Sequence, residues 1–238
     1  MLVSAAVCPH PPLLVPELAG ANAAELDDLR AACLGAIDAV RATEPEVLVV
    51  VGTGDATRRH PAGSRGSFAS YGVDLDVTLP GRDAHGGNGR ELPLSLAVGG
   101  WLLTAAGWTG HVGGLEVDAA SSTAECRRLG AAVAQEADRV GMLVMGDGSA
   151  CRSTDGPGHL DPRAEPFDAK VVEALRAGDP AGLLAIDPAL AADLQAAGRA
   201  AWQVLAGASE EVLFDAEVVY DAAPYGVGYM VAVWERHG

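Results

Sequence analysis

Basic residues are scarce in this chain. Sixteen Lys and Arg stand against 32 Asp and Glu, for a net charge of −16. A surface of that sign repels polyphosphates and anionic membranes, which argues against nucleic-acid and membrane-surface partners. Aromatic residues are also few, at 5% of the chain, so the core has to be built from Ala, Val, Leu and Gly. That composition suits helices packed closely on a sheet. Cys8, Cys33, Cys126 and Cys151 stand apart with no C-x-x-C pair, which speaks against a Cys-based zinc site and predicts reduced thiols. No run reaches the ~18 apolar residues of a membrane span. The N-terminus shows no basic segment ahead of an apolar one, so no signal peptide is predicted and the expected setting is the cytoplasm.

The 238 residues present suffice for one sizeable core. Residues 2–8 read as a buried strand that stops at Cys8-Pro9-His10-Pro11-Pro12. The prolines fix φ and push their predecessors out of the helical region, so His10 sits on a stiff loop at a strand end. Leu26, Leu29, Cys33, Ile37 and Val40 then recur at helical spacing. Pro45 stops that helix, and Val47–Val51 is a doubly covered strand ending in Gly52-Thr53-Gly54-Asp55. A polar stretch, 56–90, carries one β segment, Tyr71–Leu79, and a connection this long reads as functional or mobile. A helix is predicted over Leu92–Ala106 and a strand over His111–Val117. A capping box, Ser122 to Glu125, opens a helix running to about Val140. Gly141–Met145 is another strand, ending in Gly146-Asp147-Gly148-Ser149. Asp161-Pro162, Asp179-Pro180 and Asp187-Pro188 mark helix starts. Val212–Tyr220 and Val227–Glu235 alternate as a terminal strand pair. The pattern is one α/β domain with a mixed, mostly parallel sheet between helical layers.

Four strand-end loops carry the polar residues: His10, the Thr53/Asp55 loop, the Asp147/Ser149/Arg152 loop, and Asp221 before Pro224. In a parallel sheet such loops share one edge. A histidine and carboxylates meeting there suit a non-haem iron or similar divalent site. The plainer reading makes His10 a hydrogen-bonded structural residue, Asp221 a turn cap and Asp55 a solvated side chain. Two glycine pairs, Gly52/Gly54 and Gly226/Gly228, fall short of a dinucleotide fingerprint. Ser149 is not in a G-x-S-x-G elbow. Cys151 beside Arg152 is either an activated thiol or an inert one, and His159 either lines the site or sits on the surface. Arg58, Arg59 and Arg152 are candidates to attract a carboxylate ligand, or ordinary surface arginines.

Several of these stretches together resemble the class III extradiol dioxygenase subunit-B superfamily (LigB-type), which includes Memo-like proteins. Pro9-His10-Pro11-Pro12 with Pro16-Glu17 is similar to its first motif. Gly146–Ser149 with Gly158-x-x-Asp161-Pro162-Arg163-Ala164-Glu165-x-Phe167-Asp168 resembles its central motif, and Ala223–Tyr229 its closing motif. The resemblance covers most of the chain. It implies a three-layer α/β fold over residues 1–238 and Fe(II) or another divalent metal held by His10, with Asp55 and Asp221 as candidate partners. It also implies a small catechol-like ligand and self-association.

The departures from the family pattern bear on chemistry. Active relatives end the second strand in a Ser-Pro-His-Gly type turn, and Gly52-Thr53-Gly54-Asp55 supplies no histidine there. Their central motif runs Gly-Asp-x-Ser-His, and Ala150 stands at the acid/base histidine. Ligand count and geometry set metal affinity, and loss of an acid/base group typically costs ~10²–10⁴ in rate. Three readings follow. One is an extradiol-dioxygenase-like protein without ring cleavage that binds a small molecule or partner in the cleft. Another is an iron enzyme with a rebuilt ligand set of His10, Asp55 or His60, and Asp221. The third is a metal-free enzyme using Asp147, Ser149, Cys151 and Arg152, with His159 at hand.

Overall fold

The computed structural model describes residues 1–82, 89–210 and 212–237. Strand β1 (Leu2–Cys8) is buried throughout and apolar except for Ser4. The proline turn that follows tightens into a 3-10 turn (Pro12–Leu14) and a single helical turn, α1 (Pro16–Ala19). A second 3-10 stretch (Gly20–Leu26) leads into α2 (Asp27–Ala42). Arg30 on α2 ties this entry together: it donates to the Leu14 carbonyl at 2.8 Å, to the Ala23 carbonyl and to Asp27. The chain continues through β2 (Val47–Gly54), β3 (Arg58–Pro61), β4 (Arg65–Ser67), β5 (Asp76–Thr78) and α3 (Leu94–Ala105). Next come β6 (His111–Asp118), α4 (Thr123–Val133), β7 (Val140–Met145), α5 (Ala164–Ala177), α6 (Pro180–Leu184), α7 (Pro188–Asp193), α8 (Arg199–Ser209), β8 (Phe214–Ala222) and β9 (Tyr229–Arg236).

Seven strands form one sheet in the order β3-β6-β2-β7-β1-β9-β8. The four central strands β6, β2, β7 and β1 run parallel, while β3, β9 and β8 join antiparallel. Alternate residues of the central strands feed two cores. Ala6, Cys8, Val50, Leu143 and Met145 meet α2 and α3 on one face. Ala5, Val7, Val51, Met142 and Val144 meet α4, α5 and α8 on the other. Burial on both faces explains why these strands read as unbroken apolar runs. The result is a three-layer α/β fold with a mixed, mostly parallel sheet.

Several boundaries differ from expectation. Helix α4 ends at Val133, not near Val140, because residues 134–139 must turn back to feed β7. The β segment expected over Tyr71–Leu79 shrinks to β5, which pairs only with β4 in a separate ribbon. Residues 83–88 of the long polar stretch lie outside the described residues. Asp179 and Asp187 cap α6 and α7 through Ala181 N and Ala189 N, but Asp161 caps a turn through Arg163 N, and α5 starts only at Ala164. Helix α8 has no counterpart in the sequence reading. It packs on α4 glycine against backbone: a Cβ on Gly130 would lie 2.0 Å from the Val204 carbonyl oxygen, and one on Gly207 2.2 Å from that of Arg127.

Candidate functional site

Strand β1 hands the chain to α2 on one face of the sheet, and its neighbour β7 hands it to α5 on the other. Adjacent strands whose connections part in this way open a crevice at their carboxyl ends. His10 lies two residues past β1, and Asp147 two residues past β7. Asp147 Oδ1 accepts the His10 backbone N–H at 2.7 Å. The imidazole Nδ1 stops 3.7 Å from the same oxygen, too far for a hydrogen bond, and has no partner although it is buried. Tyr229, at the start of β9, lies 3% exposed beside them. Burial first, and then the Asp147 charge, push its hydroxyl pKa upward. Burial and a hydrogen bond to Cys8 hold the Cys33 thiol well above the usual range, so it stays protonated and unreactive.

A second group of bonds fixes the loops on either side of this crevice, with buried Asp168 of α5 at its centre. Asp168 Oδ1 accepts Ser149 N–H at 2.8 Å, and Oδ2 pairs with Arg152 Nη1 at 2.9 Å. Backbone bonds from Gly148 to Gly228, from Gly228 to Ser149 and from Arg152 to Gly226 stitch the central loop to the one before β9. Burial raises the Asp168 pKa, while Ser149 N–H and Arg152 oppose the shift. Ser149 is fully buried, its Oγ donating to the Leu194 carbonyl at 3.1 Å and accepting Cys151 N–H at 3.0 Å. That hydroxyl is a loop staple with no access to substrate. Cys151 is 3% exposed, and His159 lies on the surface.

The chain between α7 and α8 roofs part of the same edge. Thr53 Oγ1 donates to the Ala197 carbonyl at 2.7 Å. Gly198 N–H reaches the Asp147 carbonyl at 2.8 Å, and Ala150 N–H the Leu194 carbonyl at 3.0 Å. A Cβ on Gly146 would fall 2.6 Å from Gly198 Cα, so glycine at 146 permits this approach. Within the segment Gln195 holds a φ of 53°, a left-handed conformation unusual for a non-glycine residue.

The proposed ligand set does not assemble. His10 follows β1, Asp55 follows β2 and Asp221 lies on β8, so the two carboxylates are four strands apart. At ~4.8 Å per strand that is about 19 Å, whereas one divalent ion draws its ligands to within ~2.0–2.6 Å. Asp55 is exposed, and what it gives the structure is its N–H, bound to Glu116 Oε1 at 3.1 Å. His60 is also committed elsewhere, with Nε2 2.8 Å from Glu116 Oε2. Among the described residues no group of three or more His, Cys, Asp or Glu is placed to hold a metal ion. The three arginines expected to attract an anion are each paired: Arg58 with Glu116, Arg59 with Glu136 and Arg152 with Asp168.

Asp168 and Tyr229 lie in the quoted motif stretches and Glu116 outside them, and the sequence assigns none of the three to the site. Two carried a signal. Asp168 sits at core spacing on α5, between Ala164 and Val171, and Glu116 interrupts the apolar run Leu115–Val117. Acids at such positions are buried and paired.

No family model matches the chain, and no curated protein matches it in sequence. Its fold is similar to the crystal structure of an uncharacterized protein, JW3007, from Escherichia coli K12. The two share 12% identity, with a TM-score of 0.52 over 98% of this chain and 99% of that one. At that identity the likeness speaks for the fold alone. No helix among the described residues is long and apolar enough to cross a membrane.

Proposed function

We propose that this protein is an extradiol-dioxygenase-like scaffold that binds a small molecule at the β1/β7 crevice and does not cleave aromatic rings. The observation that carries the reading is the His10–Asp147 pair. It stands where open α/β sheets bind ligands, and its imidazole Nδ1 is buried without a partner. An unpartnered buried nitrogen is unfavourable unless something supplies the missing bond. A ligand hydroxyl or carbonyl between Nδ1 and Asp147 would supply it, and Tyr229 would close the crevice from β9. The residues present do not fit an iron centre of the ring-cleaving kind. Among the described residues His10 has no second histidine or convergent carboxylate pair beside it, and Ala150 stands where the acid/base group would be. Four buried free thiols are in keeping with a cytoplasmic setting.

The test measures metal content on protein prepared anaerobically and reconstituted with Fe(II), for wild type and His10→Ala. A thermal-shift screen of catechols and other small hydroxylated compounds runs in parallel. Background metal in both proteins, with a compound that stabilises wild type but not His10→Ala, is the expected result. One iron per chain that disappears in His10→Ala, together with catechol turnover, would overturn the reading in favour of a rebuilt iron site.

A further inference from the structure

Arg199, the first residue of α8, is 5% exposed and has no carboxylate partner among the described residues. Nη1 donates to the Ser121 carbonyl at 2.6 Å, to Gln203 Oε1 at 3.2 Å and to Cys126 Sγ at 3.9 Å, and Nη2 donates to the Ala119 carbonyl. All four acceptors are uncharged, burial holding the Cys126 thiol protonated. Asp118, the acid nearest that loop in sequence, turns its Oδ1 to the Ala120 N–H at 2.8 Å. The other arginines drawn into the fold each meet an acid: Arg30 meets Asp27, Arg58 meets Glu116 and Arg152 meets Asp168. A guanidinium taken out of water without a counter-charge is strongly unfavourable, and here it occurs in a chain with twice as many acids as bases.

Arg199 lines a pocket of about 270 Å³ beyond the carboxyl ends of β2 and β6, walled by Thr53, Pro188, Ala191, Ala192 and Ala196. Nε and Nη2 lie along one edge of the guanidinium plane, the edge on which a carboxylate docks through two parallel bonds. Nε has no acceptor among the described residues. The first turn of α8 lines the same space through Ala200. Its N-cap, Gly198, has no side chain to satisfy the free N–H groups there, and those groups favour an anion. Apart from Thr53 and Gln195, the remaining lining residues are alanines and Pro188, a surface that suits hydrocarbon.

We propose that this pocket binds a short aliphatic carboxylate, of about four to six carbons for its volume. The carboxylate sits on Arg199 at the start of α8, and the chain lies against the alanines of α7. Neither His10 nor Asp147 lines the pocket, so this site stands or falls separately from the β1/β7 crevice.

Sodium butanoate is the probe, titrated by calorimetry into wild type, Arg199→Gln, Ala192→Phe and His10→Ala, with phosphate and propylamine as comparison ligands. Ala192 lies on the exposed side of α7, so Ala192→Phe fills the pocket without disturbing the bonds Arg199 makes. If Arg199→Gln fails to fold, as judged by circular dichroism, Ala192→Phe decides the matter. The expected result is saturable butanoate binding in wild type and His10→Ala, at least tenfold weaker in the two pocket variants. Three results would overturn the proposal: no saturable butanoate binding by wild type, binding undiminished in Ala192→Phe, or tighter binding of phosphate or propylamine than of butanoate.

Discussion

His60 and His10 are both buried at strand ends beside a carboxylate, and the two surroundings differ in one respect. Around His60 the carboxylate is fully engaged, although His60 Nδ1, like His10 Nδ1, is buried with no partner among the described residues. Glu116 Oε2 meets the imidazole at 2.8 Å and Arg58 Nε at 3.0 Å, while Oε1 accepts the N–H groups of Asp55 and Ala56. Around His10 the carboxylate meets the backbone and the ring nitrogen stops 3.7 Å short. A carboxylate with all its lone pairs engaged fixes the end of a strand. One with capacity left over, facing an unpartnered imidazole, is a place for something else to bind. The residue types and the burial match, and both rings leave Nδ1 unpartnered, so the difference lies in the carboxylate, which holds four partners at Glu116 and the His10 N–H at Asp147.

The sharpest way to break this contrast is Glu116→Ala. Removing one partner of a buried ion pair typically costs 3–5 kcal/mol, here with His60, Arg58 and two N–H groups left unpaired. For a chain of this size that is a fall in Tm of roughly 10 °C, read by calorimetry at neutral pH. A fall of only a degree or two would show that the His60 cluster is not what anchors β3 on β6.

Asp168→Asn comes next, at about 2–3 kcal/mol, because Arg152 then loses its counter-charge. Its pH dependence has a definite sign. The folded-state pKa of Asp168 is raised, so the native state takes up this proton more readily than the unfolded chain. The stability tied to Asp168 therefore grows as pH falls through the raised pKa and is lost as pH rises through it. The stability gap between wild type and Asp168→Asn should widen from pH 7 towards mildly acidic conditions in paired denaturant titrations. A gap that narrows instead would mean that Arg152 outweighs burial.

The smallest effect belongs to His10→Gln, which leaves the backbone bond to Asp147 intact. Stability should change by less than about 1 kcal/mol, while thermal shifts produced by crevice ligands disappear. A loss matching that of Glu116→Ala would place His10 in the same structural class as His60 and remove the contrast.

Much of the fold was legible because burial on both faces writes itself into sequence as apolar runs. β1, β2, β6 and β7 all read that way, and the Asp-Pro pairs at 179 and 187 marked α6 and α7. Helix α8 was not legible. Arg199–Ser209 is buried throughout, so it lacks the polar stripe that reveals a surface helix. The end of α4 was misjudged because Ala134–Asp138 has good helix formers, and only the need to reach β7 turns the chain there.

The site divides along the same line. Sequence alone placed His10 and Asp147 at strand ends, since prolines and glycines punctuate the chain where strands stop. It could not show that β7 inserts beside β1, which brings His10 against Asp147, or that β8 lies four strands from β2, which separates Asp221 from Asp55. Strand order depends on which faces the crossover helices cover, a property of the assembled layers. Nor could it show that Asp168 is the buried partner of Arg152 while Arg199 has no carboxylate partner among the described residues, because charge pairing is decided by distances between elements remote in sequence.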